Sequence, residues 1–92
     1  MKPPRVAYSY KGTVVDTREA LLLSTMKYRE TRRKDDGYFL LWLYRTRGAH
    51  YFAVELRGDG RLYVESLSEE VARVLYHMAQ HKNTKHADAF PA

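Results

Sequence analysis

The sequence predicts an α+β domain, an antiparallel β-meander of about four to six strands with a short helix and one longer C-terminal helix packed on the sheet. Three observations carry this prediction. Residues 38–46 and 49–57 are rich in aromatic and branched side chains and flank Arg47-Gly48, which is typical of a β-hairpin. Gly58-Asp59-Gly60 predicts a second turn directly after them. Apolar residues then recur at helical spacing behind an acidic first turn.

Composition bounds the chain to one small domain. It has 92 residues, with 16 Lys and Arg against 11 Asp and Glu, which leaves a formal charge of +5 and favours anionic partners. There is no cysteine, so disulfides, thiolate nucleophiles and Cys-based zinc sites are excluded. Because no long apolar run and no apolar signal segment appear, we expect no membrane contact and a cytoplasmic location. The expected domain spans residues 6–81, with flexible tails at 1–5 and 82–92.

The N-terminal third predicts a small hairpin and then a helix. Val6–Tyr10 and Thr13–Val15 are expected to pair across Lys11-Gly12, where glycine permits a positive φ. Asp16 is a candidate helix N-cap, with Glu19 completing a capping-box pattern. The helix would have about two turns and end near residues 24–25.

A continuous strand over Leu21–Glu30 is the competing interpretation of that segment. Met26–Arg33 is predicted as a strand in either case, joined to the next one through residues 34–37. Its register stays open, because both of its faces carry charges.

The two later hairpins can be given a register from their apolar faces. A two-residue turn at Arg47-Gly48 pairs Leu43 with Phe52 and Trp42 with Ala53, and it keeps one face aliphatic. A three-residue turn at Gly58-Asp59-Gly60 keeps that face intact into the next strand, with Leu56 opposite Leu62 and Val54 opposite Val64.

The clearest helix begins within residues 66–70, which supply a cap and two glutamates in the first turn, where they suit the helix macrodipole. Val71, Val74, Leu75 and Met78 form one apolar stripe. We expect this stripe to pack on a sheet face that includes Leu41, Leu43, Phe52 and Val54.

The opposite sheet face is the candidate functional surface, because aromatic rings interleaved with arginine can hold bases and phosphates or form protein–protein contacts. A basic segment and the hairpin tip adjoin it. The candidate partner-binding residues are Lys27, Arg29, Arg32, Arg33, Tyr38, Trp42, Tyr44, Arg45, Arg47, Tyr51, Arg57, Arg61 and Tyr63. Two alternatives stay open: the short helix and N-terminal hairpin cover this face as a second core layer, or it is a homodimer interface.

Candidates for catalysis and metal binding are weak. His77 and His81 lie one helical turn apart, but no third ligand is evident. Asp35-Asp36-Gly37 is typical of a turn, and no serine has a nearby His–Asp arrangement. No phosphate-binding loop or zinc-finger spacing is present. We therefore expect no enzymatic activity, no cofactor and no metal.

Three segments together resemble a family of small, mostly uncharacterised proteins from phages and mobile elements. Residues 12–20 resemble its G-x-x-Y-D-T-x-T-A pattern, with Val15 in place of Tyr and Glu19 in place of Thr. Residues 43–46, with Gly48 and residues 51–52, resemble its L-Y-R-T segment, and residues 67–72 resemble its L-S-E-E-E-A segment. The resemblance covers most of the chain and carries over no catalytic residue.

The resemblance implies a mobile-element setting, where small non-enzymatic proteins often block host defence complexes, as anti-CRISPR proteins do. The expected function is therefore inhibition of a host nucleic-acid-targeting defence complex. The partner would be a host protein or ribonucleoprotein complex in the bacterial cytoplasm, bound by a monomer or homodimer. Since the chain is basic, we expect it to bind an acidic protein surface, or the guide or target strand of the complex, and not to act as a nucleic-acid mimic. The alternative is an accessory protein that binds RNA or DNA directly.

Overall fold

The computed structural model describes residues 2–29 and 38–91, and it confirms the α+β class. The strands are β1 (Ala7–Tyr10), β2 (Thr13–Asp16), β3 (Leu21–Arg29), β4 (Tyr38–Arg45), β5 (Tyr51–Leu56), β6 (Leu62–Leu67) and β7 (His81–Lys82). The helices are α1 (Glu69–Met78) and α2 (His86–Ala89), and a 3-10 turn spans Thr17–Glu19. Strands β3 to β7 form an antiparallel sheet in the order β6-β5-β4-β3-β7, while β1 and β2 pair with each other.

The five-stranded sheet is covered on both sides. We call the side under α1 the helix side and the side under β1 and β2 the hairpin side. The turn between β4 and β5 and the 3-10 turn lie at one end of the sheet, the Arg47 end. The turn between β5 and β6 lies at the other, the Asp59 end.

The hairpin of β1 and β2 confirms the sequence prediction. Tyr10 pairs with Thr13, so the turn contains only Lys11 and Gly12. Both turn residues have positive φ, 49° and 80°. That geometry matches the right-handed twist of the flanking strands and is typical of two-residue hairpin turns.

The predicted two-turn helix is wrong, and the competing strand is correct from Leu21 onward. Asp16 does cap a helical turn, because its carboxylate accepts a hydrogen bond from the Arg18 N–H at 2.9 Å. That turn stops at Glu19, since the chain then pairs with β4 over residues 21–29, with a bulge between Leu22 and Ser24. Within the predicted strand, the part beyond Arg29 and the following turn lie outside the described residues.

The register predicted for the central hairpin is wrong by one residue. The turn has three residues, because the Thr46 N–H donates to the His50 carbonyl at 2.9 Å and Ala49 adopts a φ of 59°. Trp42 consequently pairs with Val54 rather than with Ala53. The argument from one aliphatic face failed because a sheet covered on both sides needs apolar residues on both.

The next hairpin has the predicted register. Leu56 pairs with Leu62 and Val54 with Val64. Gly60, with a φ of 83°, supplies the left-handed residue of the three-residue turn.

Helix α1 begins as predicted, but it buries a different face. Ser68 is the N-cap and accepts a hydrogen bond from the Val71 N–H at 3.2 Å. Ala72 and Tyr76, not the predicted valines, are the buried residues of the helix. Ala72 is fully buried in the cluster that includes Leu43 and Tyr51, and of the predicted stripe only Leu75 packs into the core.

Only some of the sheet residues predicted to pack against α1 lie on the helix side. Leu41 and Leu43 lie on the helix side as expected. Phe52 and Val54 lie on the hairpin side because of the one-residue shift in register. The core prediction is therefore right for β4 and wrong for β5.

The predicted flexible tail at 82–92 is wrong for the described residues up to 91. Strand β7 pairs with β3, and the Thr84 hydroxyl donates to the Leu22 carbonyl at 2.6 Å. Phe90 is 4% exposed, with its ring 5.4 Å from the rings of both Tyr51 and Tyr76. One aromatic side chain thus anchors a segment that shows no apolar period in the sequence.

Candidate nucleic-acid interface

Three rings of the aromatic surface predicted from the sequence are buried, whereas Tyr63 is exposed. Trp42, Tyr44 and Tyr51 are 1%, 3% and 4% exposed. Trp42 and Tyr44 lie beneath Val6 and Tyr8 of the N-terminal segment, while Tyr51 lies on the helix side against Phe90. Of the three interpretations of this face, the second core layer is therefore correct for Trp42 and Tyr44.

Burial also affects the ionisation of the Tyr44 phenol. It raises the pKa of Tyr44 to about 12, because an apolar environment disfavours the charged phenolate. Tyr44 stacks on Phe52 with ring centroids 5.0 Å apart. These side chains stabilise the fold and are inaccessible to a partner.

At the Asp59 end the predicted basic side chains are engaged by neighbours. The Arg57 guanidinium lies 3.7 Å from the centroid of the Tyr63 ring, and its Nε donates to Glu55 at 2.6 Å. The resulting ion pair raises the pKa of Arg57. Arg61 lies 3.7 Å from the carboxylate of Asp59. The positive charge at this end is therefore largely offset by acidic neighbours.

The remaining residues of the predicted basic segment are only partly described. The Lys27 backbone N–H and carbonyl are both held by the Gln80 side chain, at 2.9 and 2.7 Å. The backbones of Arg29 and Tyr38 pair at the end of the sheet. Arg32 and Arg33 lie outside the described residues.

At the Arg47 end, basic side chains gather around a groove that the sequence analysis identified only in part. Two adjoining clefts, of about 510 and 310 Å³, share Glu19, Thr46 and Arg47 in their walls. We call them together the basic groove. Its cationic side chains are Lys11, Arg18, Arg45 and Arg47.

Each of these cations is positioned by a turn or a strand end. Lys11 occupies the turn between β1 and β2, and Arg18 lies in the 3-10 turn that Asp16 caps. Arg47 is exposed in the turn between β4 and β5. Arg45 ends β4, and its Nη2 donates to the Asp88 carbonyl at 2.7 Å, which holds the guanidinium in place.

His50 forms a wall of the groove and joins the N-terminal hairpin to the sheet. Its ring stacks on Tyr10 with centroids 3.7 Å apart, and its Nε2 lies 2.9 Å from the Tyr8 hydroxyl. Burial, followed by the positive charge of Lys11, lowers the pKa of His50. The lowered pKa favours the neutral imidazole, and its Nε2 shares a hydrogen bond with the Tyr8 hydroxyl.

The acidic residues of the groove do not cancel its positive charge. The Asp16 carboxylate accepts a 2.9 Å hydrogen bond from Arg5, and this contact lowers the pKa of Asp16. Arg5 thus neutralises the negative charge of Asp16. Glu19 is then the remaining carboxylate in the described walls of the groove, which also carry four cationic side chains. The walls of the groove consequently carry a net positive charge, which suits an anionic ligand.

Sequence reasoning missed Lys11 and Arg18. The turn prediction at Lys11-Gly12 did contain a signal, because side chains in a two-residue hairpin turn point into solvent. Nothing local indicates that this turn meets Arg47, which lies 36 positions later in the chain. The packing of β1 and β2 on the hairpin side brings them together.

The described residues contain neither a metal-binding cluster nor a membrane-spanning helix. Among residues 2–29 and 38–91, no group of three or more His, Cys, Asp or Glu side chains is placed to hold a metal ion. The rings of His77 and His86 do approach, with centroids 5.4 Å apart. No helix in the same part of the chain is long and apolar enough to cross a membrane.

Comparison with protein-family models, with curated proteins and with solved structures finds no match to this chain.

Proposed function

We propose that this chain is a non-enzymatic phage or mobile-element protein that inhibits a host nucleic-acid-targeting defence complex. It would act in the cytoplasm of a bacterial host by binding the guide or target strand of that complex through the basic groove. The observation that carries this proposal is the gathering of Lys11, Arg18, Arg45 and Arg47 around one groove. The setting rests on the family resemblance of the sequence.

The charge balance of the groove favours a nucleic-acid strand over an acidic protein surface. Phosphates occur at regular intervals along a strand, so several can be met by cations on neighbouring turns. Lys11, Arg18 and Arg47 are exposed on three separate turns. Such spacing suits an extended polyanion better than one isolated carboxylate.

A direct RNA- or DNA-binding accessory protein is the second candidate, and the larger cleft favours it. Beside its charged residues, that cleft is lined by Tyr10, Val14 and Val15. An apolar wall next to cations can accommodate an unstacked base, which is how proteins commonly read single strands. This function needs no host protein.

Capture from a host lysate, with and without nuclease treatment, tests the proposal. The double variant K11E/R47E reverses two charges in the groove. K85E/R61E makes the same change in charge at exposed residues outside it. We expect the wild type and K85E/R61E to capture a ribonucleoprotein, and K11E/R47E to lose it. Equal capture by both variants would contradict the assignment of the groove.

The salt dependence of binding to labelled single and double strands separates the two candidates. Fluorescence anisotropy with purified protein should show affinity falling steeply with salt if free nucleic acid is bound, and each lost phosphate contact should lower the slope by about one. Strong binding of free strands favours the accessory protein. Nuclease-sensitive capture of a complex without appreciable binding of free strands favours the inhibitor.

A further inference from the structure

Helix α1 carries a row of apolar side chains that the fold leaves uncovered. Val71, Val74 and Met78 are 47%, 57% and 62% exposed. Their spacing of three and four residues places them in one line along the helix, which we call the α1 stripe. Single apolar side chains on a surface are ordinary, whereas a contiguous row of them is typical of an interaction surface.

The two flanks of α1 differ in what covers them. On one flank, Phe90 packs against Tyr76, and the Arg73 guanidinium lies 4.8 Å from the Phe90 ring centroid. Helical geometry places Val71 about 160° around the helix from Arg73, with Val74 and Met78 on the same side as Val71. No element of the described chain covers that side, where all three residues are exposed.

We infer that the α1 stripe binds the α1 stripe of a second copy of this chain, with the two helices antiparallel about a twofold axis beside Val74. In this arrangement Val74 meets its own counterpart, and Val71 meets Met78 of the second copy. A twofold contact uses the same surface on both copies. The α1 stripe can therefore form both halves of the interface, and no second complementary surface is needed.

The distribution of charge along α1 favours this antiparallel pairing. Glu70 in its first turn and His77 in its last turn both lie on the side of the helix next to Val74, whereas Glu69 is paired within the chain to Arg73 at 3.7 Å. Antiparallel helices set Glu70 of one copy against His77 of the other, and the twofold axis repeats that match. A parallel pair would bring Glu70 close to Glu70 of the second copy, where like charges repel.

The size of the contact sets the affinity to be expected. A ten-residue helix is about 15 Å long, so the interface lies at the low end of the range for specific complexes. We expect a dissociation constant on the order of micromolar. The experiments must therefore extend to high protein concentration.

Disulfide trapping tests the geometry, because the chain has no cysteine of its own. V74C should oxidise readily to a covalent dimer, since the axis brings its two sulfurs together. V14C is the matched control, because Val14 is a 70% exposed valine outside the stripe. V71C alone should cross-link poorly, since the two copies of position 71 lie about 9 Å apart along the helices. A mixture of V71C and M78C should form the mixed disulfide.

Sedimentation of untrapped protein from about 1 µM to about 1 mM tests the association itself. The wild type should dimerise, V74E should associate at least tenfold more weakly because two carboxylates meet at the axis, and V14E should behave as the wild type. Circular dichroism checks that both variants remain folded. A wild type that stays monomeric throughout, a dimer that V74E leaves intact, or V14C cross-linking as efficient as that of V74C would each overturn the inference.

Discussion

Replacing Trp42 by alanine tests whether the aromatic residues are a core layer or a surface. Trp42 is 1% exposed and packs with Phe52 and Val54 beneath the N-terminal hairpin. A buried aromatic side chain removes about 150–250 Å² from water, and truncating one to alanine costs about 3–5 kcal/mol. We expect a loss of that size in the free energy of unfolding.

This loss is large relative to the stability of so small a domain. At roughly 0.05–0.15 kcal/mol per residue, 92 residues give about 5–14 kcal/mol in total. For a domain of this size, about 1 kcal/mol corresponds to about 4–8 °C in melting temperature. Trp42→Ala should therefore lower the melting temperature by more than about 12 °C.

Trp42→Phe is the matched control. The buried Nε1 of Trp42 has no hydrogen-bond partner in the described part of the chain, so phenylalanine retains most of the apolar contact and removes an unsatisfied donor. We expect this variant to lose about 1 kcal/mol or less. Urea unfolding followed by circular dichroism is the suitable assay, because Trp42 is the sole tryptophan and its fluorescence disappears in both variants. A folded Trp42→Ala variant within about 1 kcal/mol of the wild type would refute the core-layer assignment.

Three further predictions concern other parts of the fold. Phe90→Ala should lower the urea-unfolding free energy by about 3–5 kcal/mol, whereas the same change in a loose tail would have no effect. Ala49→Gly should raise that free energy by about 0.5 kcal/mol, because position 49 has a φ of 59°. Since the folded chain lowers the pKa of His50, the unfolded chain binds its proton more readily, and stability falls as the pH drops below about 6.5. Melting temperatures at pH 5 and 7.5 should show a smaller decrease for His50→Gln than for the wild type.

The correct sequence predictions are those decided by local chemistry. The turn at Lys11-Gly12 formed where glycine permits a positive φ, and Gly60 fixed the register of the hairpin between β5 and β6 in the same way. The Ser68 cap and the acidic turn after it located the start of α1. Each of these depends on a few neighbouring residues and little on what packs above them.

The wrong predictions needed information from distant parts of the chain. Ala49 adopts a left-handed conformation that alanine disfavours, so the sequence contains no sign of the third turn residue. Helix α1 buries the face that carries Ala72 and Tyr76, not the face with the larger number of aliphatic side chains. Phe90 stabilises the C-terminal segment by packing against the rings of Tyr51 on β5 and Tyr76 on α1. No periodicity within that segment predicts this contact.

For the candidate site, too, the residues that depend on local sequence were predicted and those that depend on distant packing were not. Arg45 and Arg47 were identified because they lie at a predicted hairpin tip, and both line the basic groove. The error was to treat Trp42 as exposed, because composition cannot distinguish an aromatic surface from an aromatic core that a second sheet covers. Lys11 and Arg18 join the groove only when that second sheet is in place.

The residues that carry the family resemblance have structural roles in this chain. Asp16 caps the 3-10 turn, and Thr17 is buried with its hydroxyl accepting from the Val6 N–H at 3.0 Å. Thr46 closes the turn between β4 and β5, and Ser68 caps α1. These four residues therefore stabilise the fold, whereas Arg45 of the same pattern lines the basic groove. Lys11, which immediately precedes the first segment, also lines the groove and lies in a turn, so K11E should change binding without changing stability appreciably.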